Sequence, residues 1–191
     1  SLINQNAGIK PVQVNDDVYY VIEKSKYFAD ITDGAYDPTI GPLVELWNIT
    51  GTDEKQRDSI PTEEEIEEKM GLVDYNDLEV MEDNFIYLNK KGMKLDLGGI
   101  VKGYAADEIK RIFKENGVNS AIIDLGGNIY ALGERKNSEP WRIGVQDPFN
   151  VGGTYIGILN VKDQSIVTSG DYERYFEYNG KKYHHIIDAK T

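Results

Sequence analysis

Cysteine is absent from this chain of 191 residues. Its absence excludes disulfide bonds, thiol nucleophiles and cysteine-ligated zinc sites, although it does not identify a cellular compartment. Histidine is scarce as well, because the chain has only His184 and His185. Long apolar runs are also missing. Since a transmembrane helix needs roughly 18 or more consecutive apolar residues, the sequence predicts none.

Basic residues are fewer than acidic ones. The chain has 21 lysines and arginines against 33 aspartates and glutamates, which gives a formal net charge of −12. Such a surface repels nucleic acids and anionic membranes, so no nucleic-acid partner is expected. It also repels an anionic small molecule, and a phosphate-bearing ligand would therefore need a local lysine or a divalent cation.

Helical signals come first along the chain, and β-alternation comes later. Asn15 predicts the start of one helix, and Thr62 with Glu65 predicts a capping box at the start of another. The C-terminal part has short alternating segments separated by turns, which predict hairpins and antiparallel sheets. The length indicates a single domain over residues 1–191, or one compact two-lobed unit. The predicted fold class is therefore α+β, with antiparallel sheets and flanking helices.

The stretch Leu95–Asp107, LDLGGIVKGYAAD, carries the clearest functional signal. Asp96 precedes two glycines, Gly98 and Gly99, which let a ligand approach the backbone because they have no Cβ. Lys102 follows near the start of an amphipathic helix, where main-chain N–H groups favour an anion. This combination suits a phosphate-bearing ligand, with or without a metal. It equally suits a tight strand-to-helix turn with a surface lysine, and it matches neither a Walker loop nor GxGxxG.

Four further segments accompany this stretch in a fixed order. They are DGAYDPTIGPLVELW (Asp33–Trp47) upstream, and IIDLGGNIYALG (Ile122–Gly133), TSGDYERYF (Thr168–Phe176) and HHIID (His184–Asp188) downstream. With these five segments, nearly the whole chain resembles the FAD:protein FMN transferases, the ApbE-type flavin transferase family. The resemblance implies an enzyme with an ApbE-like flavin transferase fold.

The resemblance also implies roles for individual residues. The residues implied to contact FAD are Ala35, Tyr36, Asp37, Asp96, Lys102 and Ile187. Gly99 would offer its main-chain carbonyl to Mg²⁺, and Lys102 and His185 would take part in catalysis. Because neighbouring residues of a strand face opposite sides, His185 is predicted to face the site and His184 to face away.

The reaction implied by the resemblance is the Mg²⁺-dependent transfer of FMN from FAD to an acceptor protein. A serine or threonine hydroxyl of the acceptor would attack the FMN-side phosphorus and release AMP, while Mg²⁺ and Lys102 neutralise the developing charge. Two alternatives remain open. One is an FAD pyrophosphatase that yields FMN and AMP, and the other is a flavin-binding module without turnover.

The resemblance further predicts that the chain is a central fragment, truncated at both ends. The family's other Mg²⁺ ligands, an aspartate and a threonine, would lie beyond Thr191, and its flavin-stacking tyrosine would lie before Ser1. The fragment is therefore expected to bind Mg²⁺ weakly and to be inactive or impaired. The parent protein is expected to be extracytoplasmic, as a lipoprotein anchored to the cell membrane.

Overall fold

The computed structural model describes residues 1–49, 58–150, 153–171 and 174–190, which form five α-helices and ten β-strands. The helices are α1 (Leu2–Gln5), α2 (Asp16–Ile31), α3 (Gly41–Trp47), α4 (Glu63–Met70) and α5 (Val101–Glu115). The strands are β1 (Val12–Gln13), β2 (Leu78–Met81), β3 (Phe85–Leu88), β4 (Ala121–Asp124), β5 (Asn128–Leu132), β6 (Trp141–Gln146), β7 (Tyr155–Val161), β8 (Gln164–Val167), β9 (Tyr175–Tyr178) and β10 (Lys181–His184).

The chain folds into two structural units, each with its own sheets. The first contains the described residues of Ser1–Ile100 and Glu173–Thr191, and the second contains those of Val101–Tyr172. All the sheets in the described parts pair their strands antiparallel, so the predicted α+β class is confirmed. No described helix has the length and apolar character needed to cross a membrane. Two residues of the TSGDYERYF segment, Tyr172 and Glu173, lie outside the described residues.

The first unit is built on the antiparallel sheet β1-β3-β2. Strands β2 and β3 form a hairpin in which Leu78 lies opposite Leu88. Its turn contains Asp83 and Asn84 at left-handed φ angles of 56° and 62°, a conformation that their short polar side chains tolerate. Alternation along β3 then directs Ile86 and Leu88 into the core, where each is 1% exposed.

Helix α2 packs one face against this sheet. It begins at the predicted cap, where the Asn15 side chain accepts a hydrogen bond from the main-chain N–H of Val18 (2.9 Å). Asp16 and Asp17 in its first turn interact favourably with the helix dipole. The buried residues of the helix are Val21, Ile22, Ser25 and Ala29. The cap determines where α2 begins, and the buried stripe is the face that meets the rest of the unit.

The core of the first unit joins α1 and α2 to the sheet. The buried core residues are Ile3, Ala7, Ile22, Leu78, Ile86, Leu88 and Met93. Leu95 and Leu97 pack against this core from the segment that carries the central motif. Since a helix as short as α1 has little stability of its own, the burial of Ile3 and Ala7 is what holds it in place.

Hairpin β9-β10 forms a second small sheet in the first unit. Its turn lies at Asn179 and Gly180, both at positive φ. Phe176 and Tyr183 lie opposite each other on the two strands and stack with their ring centroids 5.3 Å apart. Trp47 from α3 stacks on both rings, at 6.4 Å and 5.6 Å. This aromatic cluster attaches the hairpin to α3.

The second unit contains α5, the sheet β4-β5-β8 and the hairpin β6-β7. Strand β5 lies in the centre of its sheet, antiparallel to both neighbours, and buries Ala131 and Leu132. Trp141 at the start of β6 donates from Nε1 to the carbonyl of Leu132 (3.1 Å). That bond connects the β6-β7 hairpin to the three-stranded sheet.

Candidate functional site

The segment Lys94–Asp96, which leads into the central glycines, is hydrogen-bonded to the loop before α3. The N–H of Gly41 donates to the carbonyl of Lys94 (3.2 Å), and the N–H of Asp96 donates to the carbonyl of Pro38 (2.9 Å). A Cβ on Gly41 would lie 2.6 Å from the Lys94 oxygen, so this approach requires glycine. The DGAYDP loop and the LDLGG segment are therefore held side by side within the first unit.

Asp37 holds that loop together through a buried carboxylate. Its Oδ1 accepts hydrogen bonds from the N–H and the hydroxyl of Thr39 (2.7 Å and 2.6 Å), and its Oδ2 accepts one from the N–H of Tyr75 (3.0 Å). Thr39 Oγ1 in turn accepts from the N–H of Asp74 (2.9 Å). Both carboxylate oxygens thus take part in holding the loop. Neighbouring Ala35 is exposed.

Tyr36 supports the glycine turn. A Cβ on Gly99 would come within 3.0 Å of Tyr36 Cε2, so the bare backbone of Gly99 lies against the edge of the ring. The Tyr36 hydroxyl donates to Ser25 Oγ (3.3 Å). Burial raises the pKa of Tyr36, the hydrogen bond with Ser25 opposes that effect, and the charges of Asp96 and Asp37 raise the pKa further. The ring is therefore neutral at physiological pH.

Asp96 shapes the turn that follows it. Its Oδ1 accepts a hydrogen bond from the N–H of Gly98 (2.8 Å), and a Cβ on Gly98 would lie 2.9 Å from the same oxygen. Oδ2 is the carboxylate oxygen that this turn does not use. Gly98 and Gly99 are both exposed. The first unit therefore presents bare backbone between a carboxylate and a neutral aromatic ring.

The HHIID segment approaches the same loop in the first unit. The ammonium group of Lys190 lies 3.0 Å from Asp33 Oδ2 at the start of DGAYDP, and the N–H of Lys190 donates to Asp188 Oδ1 (2.8 Å). Ile187, immediately before Asp188, is half-buried. The structure therefore brings Lys190, two residues after the HHIID segment, to the loop that carries Tyr36.

The two histidines lie at the end of strand β10. The strand stops at His184, so the alternation on which their predicted facing rests does not continue to His185. The N–H and the Nδ1 of His185 both lie within hydrogen-bonding distance of the Arg174 carbonyl (3.1 Å and 3.3 Å). Because a carbonyl only accepts, this geometry favours the tautomer with the proton on Nδ1. His184 Nδ1 instead accepts from the N–H of Ile186 (3.3 Å).

The second unit brings three of the sequence motifs together around Lys102. Lys102 Nζ donates to the carbonyl of Gly126 (3.0 Å), in a turn where Gly126 and Gly127 have φ angles of 63° and 84°. The N–H of Thr168 donates to the carbonyl of Gly127 (3.3 Å), and the N–H of Gly127 donates to Asp124 Oδ1 (3.3 Å). An exposed lysine beside a glycine turn can meet a phosphate at little steric cost.

A model of one protein family matches the full length of the chain. That family is described as the ApbE family, and the match covers residues 1–191. This chain belongs to the ApbE family. Among curated proteins it is 37% identical over 203 residues to the FAD:protein FMN transferase of Treponema pallidum (strain Nichols), with 99% of this chain and 55% of the relative covered. It is 39% identical over 190 residues to the FAD:protein FMN transferase of Klebsiella pneumoniae (strain 342), with 99% and 57% covered.

Solved ApbE structures share the fold. The crystal structure of the ApbE protein from Thermotoga maritima matches with a TM-score of 0.88 at 40% identity, over 100% of this chain and 60% of that one. The flavin transferase ApbE from Vibrio cholerae matches with a TM-score of 0.82 at 29% identity, over 99% and 59%. The predicted ApbE-like fold is therefore confirmed. The chain spans little more than half the length of the curated relatives it matches.

The residues that the structure describes supply at most part of the Mg²⁺ site implied by the ApbE resemblance. Within those parts of the chain, no group of three or more His, Asp or Glu side chains could hold a metal ion. Asp96 uses one carboxylate oxygen for the N–H of Gly98, and Gly99 supplies only a neutral carbonyl. Since Mg²⁺ needs near-octahedral oxygen ligation, these donors do not complete a site.

Several residues that organise the ApbE motifs were not singled out in the sequence. They are Ser25, Thr39, Tyr75 and Thr168. For Thr39 a signal was available, since a threonine two residues after an aspartate is a common local hydrogen-bonding pattern. For Ser25 and Tyr75 none was, because their contacts with Tyr36 and Asp37 join distant parts of the sequence.

Proposed function

We propose that this chain forms the FAD-binding part of an FAD:protein FMN transferase, which moves FMN from FAD to a serine or threonine hydroxyl of an acceptor protein and releases AMP. The names of the curated relatives support the reaction class. The observation that carries the proposal is the turn at Asp96–Gly99. There Gly98 and Gly99 are exposed and carry no Cβ, beside the Asp96 carboxylate and the Tyr36 ring, so a pyrophosphate could approach the main chain closely.

The proposed reaction is a substitution at phosphorus. The acceptor hydroxyl oxygen forms a new bond to the FMN-side phosphorus, the bond from that phosphorus to the bridging oxygen breaks, and AMP leaves with that oxygen. Lys102 would stabilise the negative charge that grows on the phosphates. His185 would take the hydroxyl proton, because with Nδ1 bonded to the Arg174 carbonyl the ring nitrogen that accepts is Nε2.

Magnesium dependence, Gly99 as a metal ligand and the six FAD contacts form part of this proposal, and their support is the family resemblance. The Gly99 carbonyl would be one ligand of Mg²⁺, whose charge would polarise the pyrophosphate. The parent is also proposed to be an extracytoplasmic lipoprotein anchored to the membrane. Cell fractionation with labelling of the lipid would test that location, and recovery in the cytosol without lipid would contradict it.

The function can be tested by incubating the intact parent protein with FAD, Mg²⁺ and a panel of serine- or threonine-containing peptides from candidate acceptor proteins. Mass spectrometry should find FMN attached to a peptide hydroxyl, together with an equal amount of AMP. The matched control is the same peptide with alanine in place of the acceptor residue, and a parallel sample should contain EDTA. Free FMN and AMP with no modified peptide would indicate a pyrophosphatase. FAD that binds and stays intact would indicate a binding module.

A further inference from the structure

We infer that Asn4 is a positioning residue, whose side-chain amide takes the place of a neighbouring strand and fixes the shape of the turn at Leu95–Gly99. Asn4 Nδ2 donates to the carbonyl of Leu95 (3.3 Å), and Asn4 Oδ1 accepts from the N–H of Leu95 (2.9 Å). One side chain thus pairs with both polar main-chain groups of a residue 91 positions away. The consequence for FAD rests on the proposed function, whereas the effect on the turn does not.

The pairing matters because of the direction in which main-chain groups point along an extended segment. The Lys94 carbonyl and the Asp96 N–H point to one side, where they bond to Gly41 and Pro38. The N–H and carbonyl of Leu95 point to the other side, and there the Asn4 amide meets them. The segment is therefore held on both edges although it belongs to no regular strand.

Asn4 is itself held firmly enough to position another segment. Its neighbour Ile3 and nearby Ala7 are 7% and 3% exposed and belong to the same core cluster against which Leu95 packs. Asn4 is half-buried, so water competes poorly for its amide. Without that amide, Leu95 would keep its core contacts but lose the hydrogen bonds to its N–H and carbonyl. The next residue, Asp96, would then no longer be fixed relative to Gly98 and Tyr36.

A role in stability alone can be separated from a role in positioning by comparing Asn4 with Asn6. Asn6 lies two residues further on, is also half-buried, and donates from Nδ2 to the carbonyl of Leu2 (2.9 Å). Replacing either with alanine removes the same amide from the same short helix region, but only Asn4→Ala releases Leu95. Asn4→Asp supplies a second variant of unchanged shape, which keeps the acceptor for the Leu95 N–H and loses the donor to the Leu95 carbonyl.

The experiment measures amide hydrogen exchange and FAD affinity for the wild type, Asn4→Ala, Asn4→Asp and Asn6→Ala. In Asn4→Ala, the Leu95 and Asp96 amides should exchange about tenfold faster than in the wild type, because both hydrogen bonds between the Asn4 amide and Leu95 are lost. FAD affinity, titrated with Mg²⁺ present and far below the melting temperature, should fall on the order of tenfold. Asn6→Ala should keep wild-type values for both, and Asn4→Asp should weaken FAD binding while protecting the Leu95 amide.

Two outcomes would overturn the inference. One is wild-type exchange at Leu95 and Asp96 in Asn4→Ala. The other is FAD affinity that falls equally in Asn4→Ala and Asn6→Ala, since that would mark a general loss of stability. If the wild-type chain itself does not bind FAD, the proposed function fails, while the exchange rates of Leu95 and Asp96 still decide whether Asn4 fixes the turn.

Discussion

Replacing Asp37 with asparagine should destabilise the first unit, although the substitution barely changes the size of the side chain. The carboxylate is 6% exposed and accepts three hydrogen bonds, from the N–H and hydroxyl of Thr39 and from the N–H of Tyr75. Asparagine has one acceptor oxygen. If that oxygen stays with Thr39, the new NH₂ group meets the Tyr75 N–H, donor against donor.

The size of the loss follows from those contacts. A buried hydrogen bond to a charged group contributes about 1.5–3 kcal/mol, and a buried donor left without a partner adds to the cost. The free energy of unfolding should therefore fall by about 2–3 kcal/mol, which corresponds to a melting temperature lower by roughly 5–10 °C. Urea unfolding followed by circular dichroism measures the first quantity, and a thermal scan measures the second.

Asp33→Asn is the matched control, because it makes the same chemical change four residues earlier. Asp33 is paired with Lys190, but its side chain is 96% exposed, and exposed ion pairs contribute only about 0–1 kcal/mol. Equal losses in Asp37→Asn and Asp33→Asn would refute the argument. Unchanged stability with weaker FAD binding in Asp37→Asn would mean that the carboxylate serves the ligand and not the loop.

Three further predictions concern single side chains. In the intact parent protein, Lys102→Ala should slow FMN transfer by about tenfold to a hundredfold, since one charge-assisted contact contributes about 1.5–3 kcal/mol. Lys114→Ala, on the exposed last turn of α5, should leave the rate unchanged. Equal rates in the Lys102→Ala variant and the wild type would exclude a phosphate role for Lys102. His185→Ala should reduce FAD turnover more than His184→Ala, and the reverse order would show that the assignment of the two is wrong. The pKa of Tyr36 in the folded protein is raised above its usual value of 10.0, so Tyr36 loses its proton at lower pH in the unfolded protein than in the folded one. The free energy of unfolding should therefore fall as pH rises above 10, and it should fall less steeply in Tyr36→Phe. Identical urea unfolding curves for the two proteins at alkaline pH would contradict this.

Local features of the fold could be predicted because short stretches of sequence determine them. The Asn15 cap of α2 depends on a contact three residues away, and the capping box of α4 joins Thr62 and Glu65 by two reciprocal hydrogen bonds (2.8 Å and 3.2 Å). Turn residues such as Asn179 and Gly180 have conformational preferences of their own. In each case the energy that selects the structure is local.

The site could be predicted only as a set of motifs, without the contacts that join them. The pairing of Asn4 with Leu95 and the bond from Tyr75 to Asp37 link residues 91 and 38 positions apart, and neither spacing follows a helical or strand period. The end of β10 at His184 is likewise set by the paired strand, since His184 lies opposite Tyr175 at the end of the ladder. A resemblance can name the residues of a site, but only tertiary contacts show which side-chain atoms are already engaged.

The aromatic cluster has a practical consequence for optical measurements. The chain has two tryptophans, and each reports on a different unit: Trp47 stacks on Phe176 and Tyr183 in the first, and Trp141 bonds to Leu132 in the second. The tryptophan emission of a variant that retains one indole therefore comes from one unit only. Fluorescence denaturation curves from the two single-tryptophan variants would show whether the units melt as one cooperative body or in sequence.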